Sequence, residues 1–166
     1  VHLLDQLENI FSTFYIPISN NGKEINLYQE LIPSEYLKKI IFIPSEPGSG
    51  DGQAILDALK AFDEKHIRDY VMVCWGDIFV KDISLIDAFL GKLESGYTES
   101  LVIPTKEEEN PYVTYFVNKK NNLSKVAFQR RGEFFHKGLT DLSIFFIKPK
   151  PMLVSLSEMK NNQLNR

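Results

Sequence analysis

Cysteine is nearly absent from this chain: Cys74 stands alone, so no internal disulfide can form and a disulfide-stapled scaffold is excluded. Inside the apolar run 70–75, that thiol reads as buried and structural rather than nucleophilic, and a reducing, cytoplasmic setting is expected. Long apolar runs are missing too. No stretch approaches the roughly 20 residues that cross a bilayer, and the opening residues lack a basic region followed by an apolar core. Strong charge of either sign is likewise lacking. The formal net charge is −3, the basic residues are dispersed, and Gln129-Arg130-Arg131 is too short to track a polyphosphate, so no nucleic-acid partner is expected. His2, His66 and His136 are too scattered for a metal site and read as surface or packing residues. There is no internal repeat and no low-complexity tract.

What the 166 residues do hold is enough apolar character for one core, read as a single domain over 1–166. Residues 13–19 read as a buried strand closed by the turn Asn20-Asn21-Gly22. Residues 25–39 read as helix in two pieces, broken at Pro33-Ser34 with Ser34 as N-cap. Residues 40–44 make the next strand. Ile55, Ala58, Leu59 and Phe62 then recur at helical spacing, with Asp57, Lys60 and Glu64 on the opposite face. Residues 70–75 are nearly all apolar, as in a central strand covered on both faces. A helix over 84–95 and a short strand over 101–104 follow. Strands alternating with helices predict a parallel sheet. Lys106-Glu107-Glu108-Glu109-Asn110-Pro111 reads as a solvated loop. Beyond it the texture changes to a hairpin, with strands over 112–118 and 123–130 joined at Lys119-Lys120-Asn121-Asn122. A strand over 139–148 and a helix over 151–160 complete the pattern.

Gly48-Ser49-Gly50-Asp51-Gly52 joins one of these strands to the following helix, and the next apolar run ends in Trp75-Gly76-Asp77. Three glycines in five residues let backbone amides approach a phosphate or a base. A carboxylate delivered where a strand leaves the sheet suits an oxygen-seeking cation such as Mg²⁺. Asp77 is therefore read as a metal ligand rather than only a turn residue. The glycine loop is read as a binding loop that also starts a helix, with Asp51 as N-cap.

With these residues in order, the chain resembles the catalytic domain of the sugar-phosphate nucleotidyltransferases, above all the bacterial uridylyltransferases that act on N-acetylglucosamine 1-phosphate. The resemblance runs through nearly the whole chain. It takes in the glycine loop and its helix, Gly76-Asp77, the hairpin at Pro111-Tyr112, the strand at Ser143-Ile144-Phe145 and the helix running to Asn161-Asn162. It implies an α/β fold with a Rossmann-like, mixed but mostly parallel sheet, helices on both faces and a β-hairpin insertion on the acceptor side. It implies transfer of a nucleoside monophosphate from a nucleoside triphosphate to a sugar 1-phosphate or similar phosphorylated acceptor, with release of pyrophosphate. Such a reaction needs positioning and charge neutralisation more than covalent chemistry. By the same resemblance Asp77 is catalytic and holds Mg²⁺, and Gly48, Ser49, Gly50 and Gly76 lie against the nucleotide. Arg130 falls near the basic residue beside the acceptor phosphate, and Tyr112 and Asp141 fall on the acceptor.

The departures matter as much. Ile43 stands where the uridylyltransferases carry a base-reading glutamine, and an apolar side chain cannot supply that hydrogen bond. Val113 and Ser143 replace glycines, and Phe128 replaces an acid that binds a sugar hydroxyl. Neither uracil nor the amino sugar is carried over, and a different phosphorylated acceptor is expected. Arg130 and Arg131 stand between a solvated strand end and phosphate ligands, while Asp141 needs a partner, Lys137 or an arginine among them. The family's triphosphate-gripping loop is expected before Val1 and its second metal ligand after Arg166, so the chain by itself is expected to be inactive. A catalytically degenerate nucleotide-binding or regulatory relative is the alternative. A dinucleotide-binding Rossmann protein is disfavoured by the missing GxGxxG.

Overall fold

Two apolar runs pair in parallel: β1 (Phe14–Ser19) lies against β2 (Ile40–Ser45), in register from Phe14 opposite Ile40 to Ser19 opposite Ser45. Parallel neighbours need a crossover, and α2 (Gly22–Leu31) and α3 (Ser34–Leu37) supply it. The computed structural model describes residues 2–19, 22–46, 50–62, 70–76, 78, 80–96 and 100–164, apart from the side chains of 2, 22 and 161–164. The chain divides into two compact units. The first comprises Val1–Val71, Gly76–Ser100 and Ile147–Arg166, and the second Met72–Trp75 and Leu101–Phe146.

In the first unit, α4 (Asp51–Ala61) packs on β1 and β2 and buries Leu56 and Leu59, while β1 and β2 contribute Ile18, Ile40 and Ile43. The one-sided spacing of apolar residues on α4 is what makes this possible. α1 (His2–Leu7) buries Leu4 and Leu7 and is tied down by polar contacts. The Gln6 side-chain amide acts as a short strand would, donating to the Val80 carbonyl (2.6 Å) and accepting from the Val80 amide (3.3 Å). Lys39 reaches the Glu8 carbonyl (3.1 Å), and the Tyr36 hydroxyl donates to Asp5. α5 (Ser84–Glu94) inserts Ile86 and Leu93, and α6 (Pro149–Leu164) packs on α4. Among the described residues no helix is long and apolar enough to cross a membrane.

The second unit is built on strands. β3 (Val71–Cys74), β9 (Ile144–Ile147) and β4 (Leu101–Val102) form a sheet with β9 in the centre. β5 (Thr105–Glu109), β8 (Lys137–Asp141), β6 (Val113–Val117) and β7 (Leu123–Phe128) form a second sheet in that order. Side chains alternate between faces along a strand. Register therefore sets Thr105, Asp141, Val113 and Phe128 in a row across one face. Thr114, Ala127 and Thr140 take the other face and are buried. Gly138 belongs to that buried face, and a Cβ there would stand 2.7 Å from Thr114 Cγ2, closer than two carbons can approach. The strand must run bare past Thr114.

The mostly parallel Rossmann-like sheet expected above does not form. Among the described residues parallel pairing is confined to β1 and β2, and the other two sheets are antiparallel. Alternation of strands with helices shows that crossovers are available, but not which edges meet. The neighbour of β3 is β9, which returns from far along the chain. The solvated loop expected at 106–111 is also corrected, because β5 pairs with β8 along its whole length. All five of its side chains are exposed, so the charges described the side chains correctly while the backbone found a ladder. The strand read over 139–148 is broken into β8 and β9 at Leu142-Ser143. Ser34 opens α3 as its first residue and does not cap it; Pro33 holds that position, without a side-chain bond.

Candidate functional site

Gly50 is the residue of the glycine loop on which the structure speaks most directly. It precedes α4 with φ 81° and ψ 167°, a region open essentially to glycine alone, and its carbonyl accepts the Gln53 and Ala54 amides (3.1 and 3.3 Å). Gly50, not Asp51, is thus the N-cap, and no side chain caps the helix. Gly48 and Ser49 lie outside the described residues, as does Asp77. Gly76 forms an exposed turn after β3 without a positive φ, so its backbone makes no demand for glycine.

Beneath Gly50 lies a polar brace that the sequence pattern did not reveal. Buried Ser45, at the carboxyl end of β2, donates to Asp57 Oδ2 (2.8 Å), and Gln53 Nε2 donates to Asp57 Oδ1 (2.5 Å). Periodicity had set Asp57 facing away from the core. The available signal was the Gln53–Asp57 spacing of four, which places an amide beside a carboxylate on one helix face. With both carboxylate oxygens engaged, Asp57 holds the strand end to the helix start.

The acceptor-side residues all belong to the second unit. Asp141, the last residue of β8, accepts from the Tyr115 hydroxyl at Oδ2 (2.9 Å) and from the Ser143 amide at Oδ1 (2.7 Å). Its partners are thus neither Lys137 nor an arginine; Lys137 pairs with Glu107 instead (2.8 Å). Partial burial, then the bond to Asp141, raises the Tyr115 hydroxyl well above its ordinary pKa, which keeps it a donor. Arg130 lies in an exposed 3₁₀ turn, Gln129–Arg131, closed by Gly132 at φ 78°. Its guanidinium carbon stands 5.2 Å from the Phe128 ring centroid and that of Arg131 stands 5.1 Å away. Phe128 shares a row with Asp141, two strand spacings or about 10 Å away, and the Arg130 guanidinium lies over the Phe128 ring, so Arg130 and Asp141 belong to the same end of one sheet. Tyr112 is exposed, and its carbonyl accepts the Gln129 amide (3.1 Å), continuing the β6–β7 ladder.

Ser143 adopts φ 58°, a left-handed conformation that a residue with a Cβ enters at a cost. The Asp141 carboxylate on its amide holds the turn. Ser143→Gly keeps that amide and removes the steric penalty, so it is expected to raise stability by about 0.5–1 kcal/mol. A urea midpoint that falls instead would show that the hydroxyl is needed.

Among the described residues no three His, Cys, Asp or Glu side chains gather as a metal site. The expectation of Mg²⁺ therefore rests on Asp77, outside the described residues, and on the sequence resemblance.

No protein-family profile matches the chain, and no curated protein matches it. Among solved structures it is similar to HddC from Yersinia pseudotuberculosis, with a TM-score of 0.67 at 17% identity over 91% of this chain and 63% of that one. At that identity the likeness is one of fold. The chain spans under two thirds of HddC's length.

Proposed function

We propose that the intact protein is a nucleotidyltransferase, moving a nucleoside monophosphate from a nucleoside triphosphate to a phosphorylated acceptor and releasing pyrophosphate. The observation that carries the reading is the grouping of Arg130 and Asp141 at one end of a single sheet. With Tyr112, they are the residues that the sequence resemblance sets beside the acceptor. Gly50 adds support, since its conformation leaves the amides that open α4 without a capping side chain, where an anion is favoured. In this reading Gly48, Ser49, Gly50 and Gly76 border the nucleotide, Tyr112 borders the acceptor, Arg130 balances the acceptor's phosphate and Asp141 orients a donor group on it. Asp77 holds Mg²⁺, which when bound would neutralise triphosphate charge.

The test is isothermal titration of the intact protein against each nucleoside triphosphate with Mg²⁺, followed by pyrophosphate release over a panel of phosphorylated acceptors. Binding of one triphosphate and turnover with an acceptor is the expected result. Binding without turnover on any acceptor would favour a degenerate nucleotide-binding relative. No binding of any triphosphate would overturn both.

A further inference from the structure

We infer that Arg131 joins Arg130 in holding the acceptor, and that this acceptor is a small phosphorylated acid, bearing a second anionic group, rather than a polyhydroxylated sugar phosphate. The inference rests on the nucleotidyltransferase reading for the identity of its ligand as the acceptor. Its basis is a local excess of positive charge that Glu133, which feels both Lys125 and Arg131, answers only in part. Four charged side chains lie along β7 and just beyond it: Lys125, Arg130, Arg131 and Glu133. Glu133 is consumed by Lys125 Nζ (2.7 Å) and by the Phe128 amide (3.3 Å). That leaves two guanidiniums over one ring, each exposed and neither within ion-pair distance of a carboxylate among the described residues. Such a pair repels unless an anion lies between or across it, in a chain whose overall charge is negative.

The Phe128 ring limits where the two cations can go. Both guanidinium carbons lie within about 5 Å of its centroid, so the forks are at most roughly 10 Å apart, a span one small ligand can bridge. Each fork matches one carboxylate or phosphate in bidentate fashion. The same face argues against a sugar. Phe128 and Val113 offer no hydrogen-bonding group, and Asp141, with one oxygen on the Tyr115 hydroxyl and the other on the Ser143 amide, has room for few further donors. Recognition at this end of the sheet is by charge, with little to read a ring of hydroxyls.

The experiment compares two probes on the intact protein by isothermal titration at low salt, with no nucleotide present: 2-phosphoglycolate, which carries a phosphate and a carboxylate, and glucose 1-phosphate, which carries a phosphate and hydroxyls. Phosphoglycolate is expected to bind roughly tenfold tighter. Arg131→Gln should abolish that preference, weakening phosphoglycolate far more than glucose 1-phosphate, Arg131→Lys should retain part of it, and Arg130→Gln should weaken both probes. Equal affinity for the two probes, an Arg131→Gln variant that weakens both alike, or no binding of phosphoglycolate overturns the inference. Nucleotide titration without an acceptor reports on the nucleotidyltransferase reading alone, so the two failures are separable.

Discussion

Phe146→Ala is expected to cost about 3–5 kcal/mol, a large share of the stability of an ordinary domain. Phe146 is 1% exposed, among the largest fully buried side chains, and sits on β9, the central strand of its sheet. Truncation forfeits the transfer energy of a ring and leaves a cavity that a strand bonded on both sides cannot collapse into. Phe146→Leu keeps most of the volume and should cost under about 1.5 kcal/mol. Urea unfolding reads both variants, with the midpoint falling steeply for alanine at unchanged slope. Because β9 follows directly on Ser143, the alanine variant should also loosen the turn that positions Asp141. A loss below about 1 kcal/mol would mean that the ring is not packed as described.

Asp141→Ala comes next in size, at about 2–3 kcal/mol, since it strips two bonds to a carboxylate at once. The Tyr115 hydroxyl and the Ser143 amide lose their acceptor, and Ser143 keeps its left-handed backbone without the contact that offsets it. Tyr115→Phe removes only one bond and should cost about 1 kcal/mol. The double variant should cost less than the two singles together, because the pair acts as a unit. A pH dependence follows as well. Tyr115 titrates higher when folded than when unfolded, so its contribution is complete below its ordinary pKa of about 10 and is lost as pH rises beyond it. The Tyr36 hydroxyl, raised to about 12 chiefly by its bond to Asp5, behaves the same way. The informative curve is therefore wild type minus Tyr115→Phe, which should decline above about pH 10. A flat difference would show that the Tyr115–Asp141 bond carries no stability. If Asp141→Ala also abolished acceptor binding while Asp141→Asn preserved the fold and lost binding, the side chain would be serving both purposes.

Much of the element pattern was legible because it depends on local spacing. The helical recurrence of Ile55, Ala58, Leu59 and Phe62 places a helix that the structure has at Asp51–Ala61, and Pro33 separates α2 from α3. Asn121 takes the positive φ of 60° that a tight turn between β6 and β7 demands. What stayed hidden was non-local. Nothing in 70–75 says that its neighbour is 144–147, and nothing in Thr105–Glu109 announces a partner, since its side chains all face water. The site was legible to a similar depth. Asp141 could be flagged as a carboxylate in need of a partner, but only coordinates name Tyr115, whose hydroxyl reaches it from a neighbouring strand. Asp57 was misplaced for the converse reason: helical periodicity sorts residues by face and is blind to a serine waiting at the end of β2. Arg131 carried no signal beyond its charge, because its relation to Phe128 arises from a 3₁₀ turn that ends at a left-handed glycine.

One of the two outer strands of the four-stranded sheet, β5, has a bearing on how copies of this molecule tolerate one another in solution. Among the described residues β5 pairs on one flank only, and an open flank is a template on which a foreign strand can dock. Its guard is electrostatic: Lys106 beside Glu108, Glu107 beside Lys137, and a surplus of carboxylate along the row. Salt screens that surplus, so the border of this sheet is where self-association would begin, and buffers of modest ionic strength are the conditions that keep it closed.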